Sequence, residues 1–189
     1  MYDFSKMTNR FNTNSYKWDV KENELPMWVA DMDFETAPAI IDALHNRVDH
    51  KIFGYNTVPD DYFEAYQKWW ERRHHFHMEK DWMMFVTGVV PAISSAVRKV
   101  TTVGENVLIM SPVYNIFYNS ILNNGRHVLS SDLVFDGKEY HIDFEDLERK
   151  LSLSQTTLMI FCNPHISQFV RMQPKVQNLP DQIWHAGQA

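Results

Sequence analysis

The sequence predicts an α/β fold: a mostly parallel sheet with helices on both faces. Three observations lead there. Val107-Leu108-Ile109-Met110 and Thr157-Leu158-Met159-Ile160-Phe161-Cys162 are short apolar runs without polar alternation, as expected of strands covered on both sides. Amphipathic helical stretches separate these runs, which is the order of a βαβ chain. The composition is that of an ordinary globular protein, with 44% hydrophobic and 22% charged residues in 189.

Taken in order, the elements justify themselves locally. Ile40, Ile41, Leu44 and Val48 fall at helical spacing behind Thr36, a suitable N-cap. Pro59 stands where a helix begins, and Tyr62, Phe63, Tyr66, Trp69 and Trp70 form an apolar stripe expected to join the core. Met83-Met84-Phe85-Val86 reads as a buried strand, and Thr87-Gly88-Val89-Val90 as the turn after it. Pro91 then opens a helix with Ile93, Ala96, Val97 and Val100 on one face. After Val107–Met110, a helix through Ile116, Phe117, Ser120 and Ile121 leads to a strand over His127–Ser130. Asp143 is placed to cap a helix carrying Phe144, Leu147 and Leu151. Beyond His165 no period survives for more than about one turn. A sheet stopping at Cys162 is expected to leave that strand with an unpaired edge and an uncovered apolar face.

Charge and composition narrow the function classes. A net charge of -6 disfavours a nucleic-acid partner, which needs clustered Lys and Arg. No apolar run approaches the ~20 residues that span a bilayer, and the N-terminus has no secretory pattern. A single cysteine, Cys162, fits a reducing cytoplasm. The expectation is a cytoplasmic protein with no nucleic-acid and no membrane partner.

Three features share one predicted rim of the sheet. Thr87-Gly88-Val89-Val90-Pro91-Ala92 joins strand to helix; it fits a plain turn, or an anion seat made of helix-start amides. Tyr114 comes just after the Val107–Met110 strand, where an aromatic ring either edges the core or stacks on a flat ligand. Asn163 comes just after the last strand, as a turn initiator or as a hydrogen-bonding group toward a ligand. Together they point to a flat, phosphorylated small molecule. Other constellations carry less. His74, His75 and His77 suggest a metal, with His74 and His77 on one helical face, but no carboxylate or cysteine is placed to complete a site. Asp31 and Asp33 point to one side of an extended segment without a cleft, and Cys162 reads as a packed thiol. No metal is expected.

With those residues in view, the chain resembles the MalY/PatB-type carbon–sulfur β-lyases (cystathionine β-lyase-like) of the aminotransferase class I/II, fold-type I superfamily. The resemblance runs from about residue 2 to His165. It rests on Leu25-Pro26-Met27-Trp28-Val29-Ala30-Asp31-Met32-Asp33-Phe34, Phe53-Gly54-Tyr55, the Thr87–Ala92 segment, Ser111-Pro112-Val113-Tyr114 and Cys162-Asn163-Pro164-His165. It implies pyridoxal 5'-phosphate as cofactor. By resemblance, the amides of Gly88, Val89 and Val90 would hold its phosphate, Tyr114 would stack on its ring, and Asn163 would bond its phenolic oxygen. Tyr55 would reach the phosphate in the other subunit of a homodimer, and the Val29–Ala30 backbone would line the substrate side. The implied reaction is β-elimination of a small sulfur amino acid to pyruvate, ammonia and a thiol; an aminotransferase and a non-catalytic remnant are the alternatives.

The resemblance also sets expectations about what is missing. Members continue after Asn-Pro-His with Asn-Pro and a glycine, whereas Ile166-Ser167-Gln168 stands here. No lysine has a serine three residues before it, the arrangement expected of the lysine that bonds the cofactor. The resulting expectation has three parts. Residues 1–34 form an arm, and residues 35–165 form an incomplete cofactor-binding large domain. Residues 166–189 form an unmatched tail from a shifted frame or a misjoined segment. Such a chain would be inactive by itself, with no catalytic residue of its own and no covalent cofactor.

Overall fold

The computed structural model describes Asp3, residues 5–163, His165 and the backbone of residues 183–186. The rest of the expected tail, residues 166–189, lies outside the described residues. The chain divides into two compact units, Met1–Pro59 and Asp60–Ala189.

The first unit is mainly turns and extended chain ahead of one helix, α1 (Pro38–Asp49). Pro38 occupies its first turn and the N-cap is Ala37, without a side-chain cap, so Thr36 does not cap it. Proline explains the shift: its fixed φ suits the first helical position, so the helix starts there and not one residue beyond Thr36. The stripe of α1 is exposed, from 40% at Ile41 to 58% at Val48.

The second unit holds the sheet. Its order is β2-β1-β5-β6, with β1 (Asn106–Ile109), β2 (His127–Ser130), β5 (Thr156–Cys162) and β6 (Ile183–Ala186), all pairing in parallel. Helices α3 (Val89–Val100), α4 (Asn115–Leu122) and α5 (Phe144–Leu151) complete it, with α2 (Asp60–His74) and a 3-10 turn at Lys80–Trp82 ahead of them. A two-stranded antiparallel hairpin, β3 (Val134–Phe135) with β4 (Tyr140–His141), adds to the predicted elements. Its strands are two residues long, too short to show a period.

Successive residues of a strand point to opposite faces, and each face here is covered. Val107, Ile109, Leu158 and Ile160 pack with Ile93 and Val97 of α3 and Phe117 and Ile121 of α4. Leu108, Met110, Met159 and Phe161 pack on the other side with Leu147 of α5 and Leu133. The register agrees, with Val107 opposite Leu158 and Leu108 opposite Met159. An α/β sheet with helices on both faces is therefore present, as the apolar runs predict.

The ends of the elements have identifiable causes. Asp143 caps α5, accepting from the Asp146 amide at 3.0 Å. At the end of α3 the buried Arg126 donates to the Thr101 carbonyl (2.6 Å) and to Thr101 Oγ1 (2.8 Å), covering acceptors a helix end leaves open. Gly125 turns the chain from α4 into β2 at φ 74°, where a Cβ would also press on Val103 Cγ1 at 3.3 Å.

Three further expectations are corrected. Met83–Val86 is not a strand: Met83 has extended dihedrals (φ −101°, ψ 134°), yet no ladder partner runs beside the segment among the described residues. Extended residues become a strand only through a neighbour's hydrogen bonds, and apolarity alone does not supply one. The α2 stripe is not core, since the helix has no buried residue and Trp69 is 44% exposed. Of the Phe, Tyr and Trp residues, only Phe117 and Phe161 are buried among the described residues. Finally, the edge of β5 is paired, Met159 to Cys162 lying against Ile183 to Ala186, and β5 itself is buried from Leu158 to Phe161. No period marks β6 because four residues are too few to show one.

Truncating Ile109, wholly buried at the sheet–helix contact, to alanine is expected to cost about 2–5 kcal/mol. Leu44→Lys on exposed α1 should change stability by less than about 0.5 kcal/mol. Urea unfolding of the two variants measures the contrast.

Candidate functional site

In a parallel sheet the space beyond the carboxyl ends of the strands is where ligands bind, because loops of different βα units converge there. Here β1 and β5 are neighbours, and Tyr114 and Asn163 lie just past their respective ends. A direct bond ties those ends together. His165 is 1% exposed and its Nε2 lies 3.3 Å from the carbonyl oxygen of Met110. A carbonyl only accepts, so Nε2 is the donor in this bond. Nδ1 of His165 and Oδ1 of Asn163 are both buried without a hydrogen-bond partner among the described residues. Two unpaired polar atoms within three residues are costly in an interior unless something else bonds to them. His165 has no role in the sequence reading beyond its place in a motif; a histidine just past a strand end is the signal that could have found it.

Tyr114 forms the N-cap position of α4 and remains 55% exposed. Its ring meets that of buried Phe117 edge-on, with centroids 6.0 Å apart at 81°. One edge is thus supported.

Gly88 is the N-cap of α3 at φ 156°, ψ 165°, a region in which essentially only glycine is comfortable. An added Cβ would meet Pro91 Cδ at an ordinary 3.6 Å, so the demand for glycine is conformational and not steric. No side chain caps this helix. The N–H groups of Gly88, Val89 and Val90 therefore precede Pro91, which has none, at the positive end of the helix dipole. Beside them runs an open groove of about 380 Å³ lined by Tyr62, Phe63, Tyr66, Phe85, Gly88 and Val89 among others. Its walls offer apolar area and no cation, so an anion there relies on backbone donors.

The remaining predicted residues lie in the first unit. Tyr55 is fully exposed and Val29 is half-buried beside exposed Ala30. The acidic residues just after Ala30 are tightly held. Asp33 accepts from Arg10 Nη1 (2.9 Å) and Trp18 Nε1 (2.7 Å) on one oxygen, and from Lys17 Nζ (2.8 Å) on the other. Lys17 also donates to the Asp31 carbonyl (2.7 Å), and Arg10 pairs with the Asp31 carboxylate at 2.6 Å. Asp31 and Asp33 are thus engaged by structural cations, an arrangement for pinning a segment and not for proton transfer. The Lys17 hydrogen bond, then that of Trp18, holds the Asp33 carboxyl down to about 2 from 3.8.

The histidine cluster is also placed. Helix α2 ends at His74 and His75 turns to φ 52°, so His77 is not on the helical face expected for it. His77 lies 3.0 Å from Glu79 and 3.5 Å from Glu71, while His74 packs against Trp69 and Trp70. Carboxylates are therefore near His77 after all, yet they face its two nitrogens separately. Among the described residues no group of three His, Cys, Asp or Glu could hold a metal ion. Among the same residues no helix is long and apolar enough to cross a membrane.

Comparison with known proteins gives this arrangement a family. Residues 14–166 match the model of the aminotransferase class I and II family, and the chain belongs to that family. It is 45% identical over 170 residues to cystathionine beta-lyase PatB of Bacillus subtilis, covering 86% of this chain and 44% of that protein. It is 32% identical to protein MalY of Escherichia coli, covering 87% and 44%. Cystalysin of Treponema denticola, whose crystal structure contains a pyridoxal 5'-phosphate cofactor, superposes with a TM-score of 0.79. That match has 34% identity and covers 87% of this chain and 44% of cystalysin. The similarity expected to the MalY/PatB type is present, and the chain spans less than half the length of these relatives.

Because the folded pKa of Asp33 lies below its ordinary value, its stabilising contribution is complete above about pH 4 and disappears as pH falls through about 2. Asp33→Asn is expected to lower stability at neutral pH and to flatten the acid transition between about pH 4 and about 2. Tryptophan fluorescence, with Trp18 bonded to Asp33, tracks both changes.

Proposed function

We propose that this chain provides the phosphate and ring seat for pyridoxal 5'-phosphate in a carbon–sulfur β-lyase acting on cystathionine- or cysteine-type amino acids. The observation that carries the reading is the uncapped amide triplet Gly88–Val90 on a helix start, in a unit where β1 and β5 end side by side. The residues fit the cofactor's chemistry. A phosphate suits neutral N–H donors at a helix N-terminus, worth about 0.3–1 kcal/mol from the dipole alone. The carboxamide of Asn163, with its buried and unpartnered Oδ1, suits a phenolic oxygen, since Oδ1 and Nδ2 can exchange places by a flip. Tyr114 has an exposed ring backed by Phe117 and so suits one face of a pyridine.

When bound, the cofactor supplies an electron sink that lets a bond at the amino acid's α-carbon break and a thiol leave the β-carbon. In this reading the chain's own residues bind and orient. The Gly88, Val89 and Val90 amides hold the phosphate, Tyr114 stacks, and Asn163 bonds the phenolic oxygen. The Val29–Ala30 backbone lines the substrate side, and Tyr55 reaches the phosphate of the second subunit in a homodimer. In this reading the seat binds through these contacts, and no lysine of this chain is given the role of covalent amine.

Pyridoxine 5'-phosphate has an alcohol in place of the aldehyde and so reports the seat free of adventitious lysine adducts. Equilibrium dialysis is expected to show it binding at least about tenfold more tightly than unphosphorylated pyridoxine, a difference of about 1.4 kcal/mol. Equal binding of the two removes the phosphate seat. Borohydride reduction after adding pyridoxal 5'-phosphate is expected to leave no stoichiometric single-lysine adduct. A unique adduct, with pyruvate released from cystathionine, means that the chain carries its own amine.

A further inference from the structure

A ring that serves as a platform while half exposed needs its backbone held from below. Tyr114 lies at the end of the connection from β1 to α4, which contains Pro112 and so lacks one amide. The polar atoms that could steady this connection belong to Ser111, and they are engaged. Its carbonyl accepts from the Leu133 amide at 2.7 Å. Its hydroxyl lies 2.5 Å from the Tyr118 hydroxyl and 2.6 Å from Ser130 Oγ. Ser130 Oγ in turn lies 2.6 Å from Asp132 Oδ1.

Counting protons gives this series its direction. A carboxylate only accepts, so Ser130 donates its single proton to Asp132. Ser130 then accepts from Ser111, and Ser111 accepts from Tyr118. The series runs one way, Tyr118 to Ser111 to Ser130 to Asp132, and ends on a charge, which strengthens each bond before it. It links α4, the β1–α4 connection, the last residue of β2 and the turn after it. Tyr118 is four residues beyond Tyr114, so both lie on one side of the first turns of α4.

We infer that Tyr118 is a positioning residue for Tyr114: its hydroxyl, through Ser111, fixes the connection that presents the Tyr114 ring. The part concerning ligand stacking rests on the proposed cofactor seat; the anchoring part does not. The ring of Tyr118 packs against the α3–α4 side of the core, so Tyr118→Phe removes the hydroxyl and keeps the packing.

The test uses the full chain as wild type, Tyr118→Phe, Ser111→Ala and the double variant. Hydrogen exchange read by mass spectrometry is expected to quicken about tenfold in peptides over residues 110–116 in each variant, while β1 and α3 keep their rates. Unchanged rates at 110–116, or equal acceleration everywhere, overturn the inference. Pyridoxine 5'-phosphate gives the second readout through quenching of its own fluorescence by a stacked phenol. Each single variant is expected to weaken its binding about fivefold and to reduce the quench at saturation. The double variant should do no more than Ser111→Ala alone, because that variant already removes the link to Tyr118 that Tyr118→Phe removes. Independent, multiplying losses overturn the inference. If the wild type binds no pyridoxine 5'-phosphate yet the exchange change is confined to 110–116, the anchor stands and the cofactor seat falls.

Discussion

Parallel pairing of β1 with β5, buried on both faces, governs everything else in the second unit. Val107 faces Leu158 across the ladder and Leu108 faces Met159, so one register sends alternate residues to two separate clusters. A slip of one residue would exchange the two sets and send each to the other face. With the register held, the carboxyl ends of both strands come together, and the His165–Met110 bond closes them. Tyr114 and Asn163 emerge from that edge, although 49 positions separate them in the chain.

Two kinds of apolar surface coexist in the chain. The aliphatic residues of β1, β5, α3 and α4 enclose one another, whereas the stripes of α1 and α2 remain exposed. Amphipathic spacing states that a helix has an apolar face; it does not state what lies against that face. The same holds for Met83–Val86, an apolar run that has no neighbouring strand among the described residues. The chain spans less than half the length of the relatives it resembles, and these surfaces are what its described residues leave open.

The cations of the first unit have a different role. Lys17 is buried, yet it is acceptable there because Asp33 and the Asp31 carbonyl take its protons. The consequence is a segment held by side chains from residues 10 to 18, next to the Val29–Ala30 backbone in sequence. Spacing alone presents Asp31 and Asp33 as a pair of acids. Their partners, 14 to 23 residues distant in sequence, reveal them as acceptors.

Some of the fold is already legible in the string of residues: the uninterrupted apolar runs of β1 and β5, the Asp143 cap, and the glycine at the start of α3. Each of these depends on a residue's own conformational preference or on neighbours within a few positions, so no folded context is needed to read it. Three outcomes needed the assembled molecule: which stripes are covered, which strand β6 joins, and how the hydroxyls of Tyr118, Ser111 and Ser130 align. Those outcomes depend on residues apart in sequence meeting in space, apolar groups within about 4.5 Å and hydrogen-bonding atoms within about 3 Å, and such meetings leave no period or spacing along the chain.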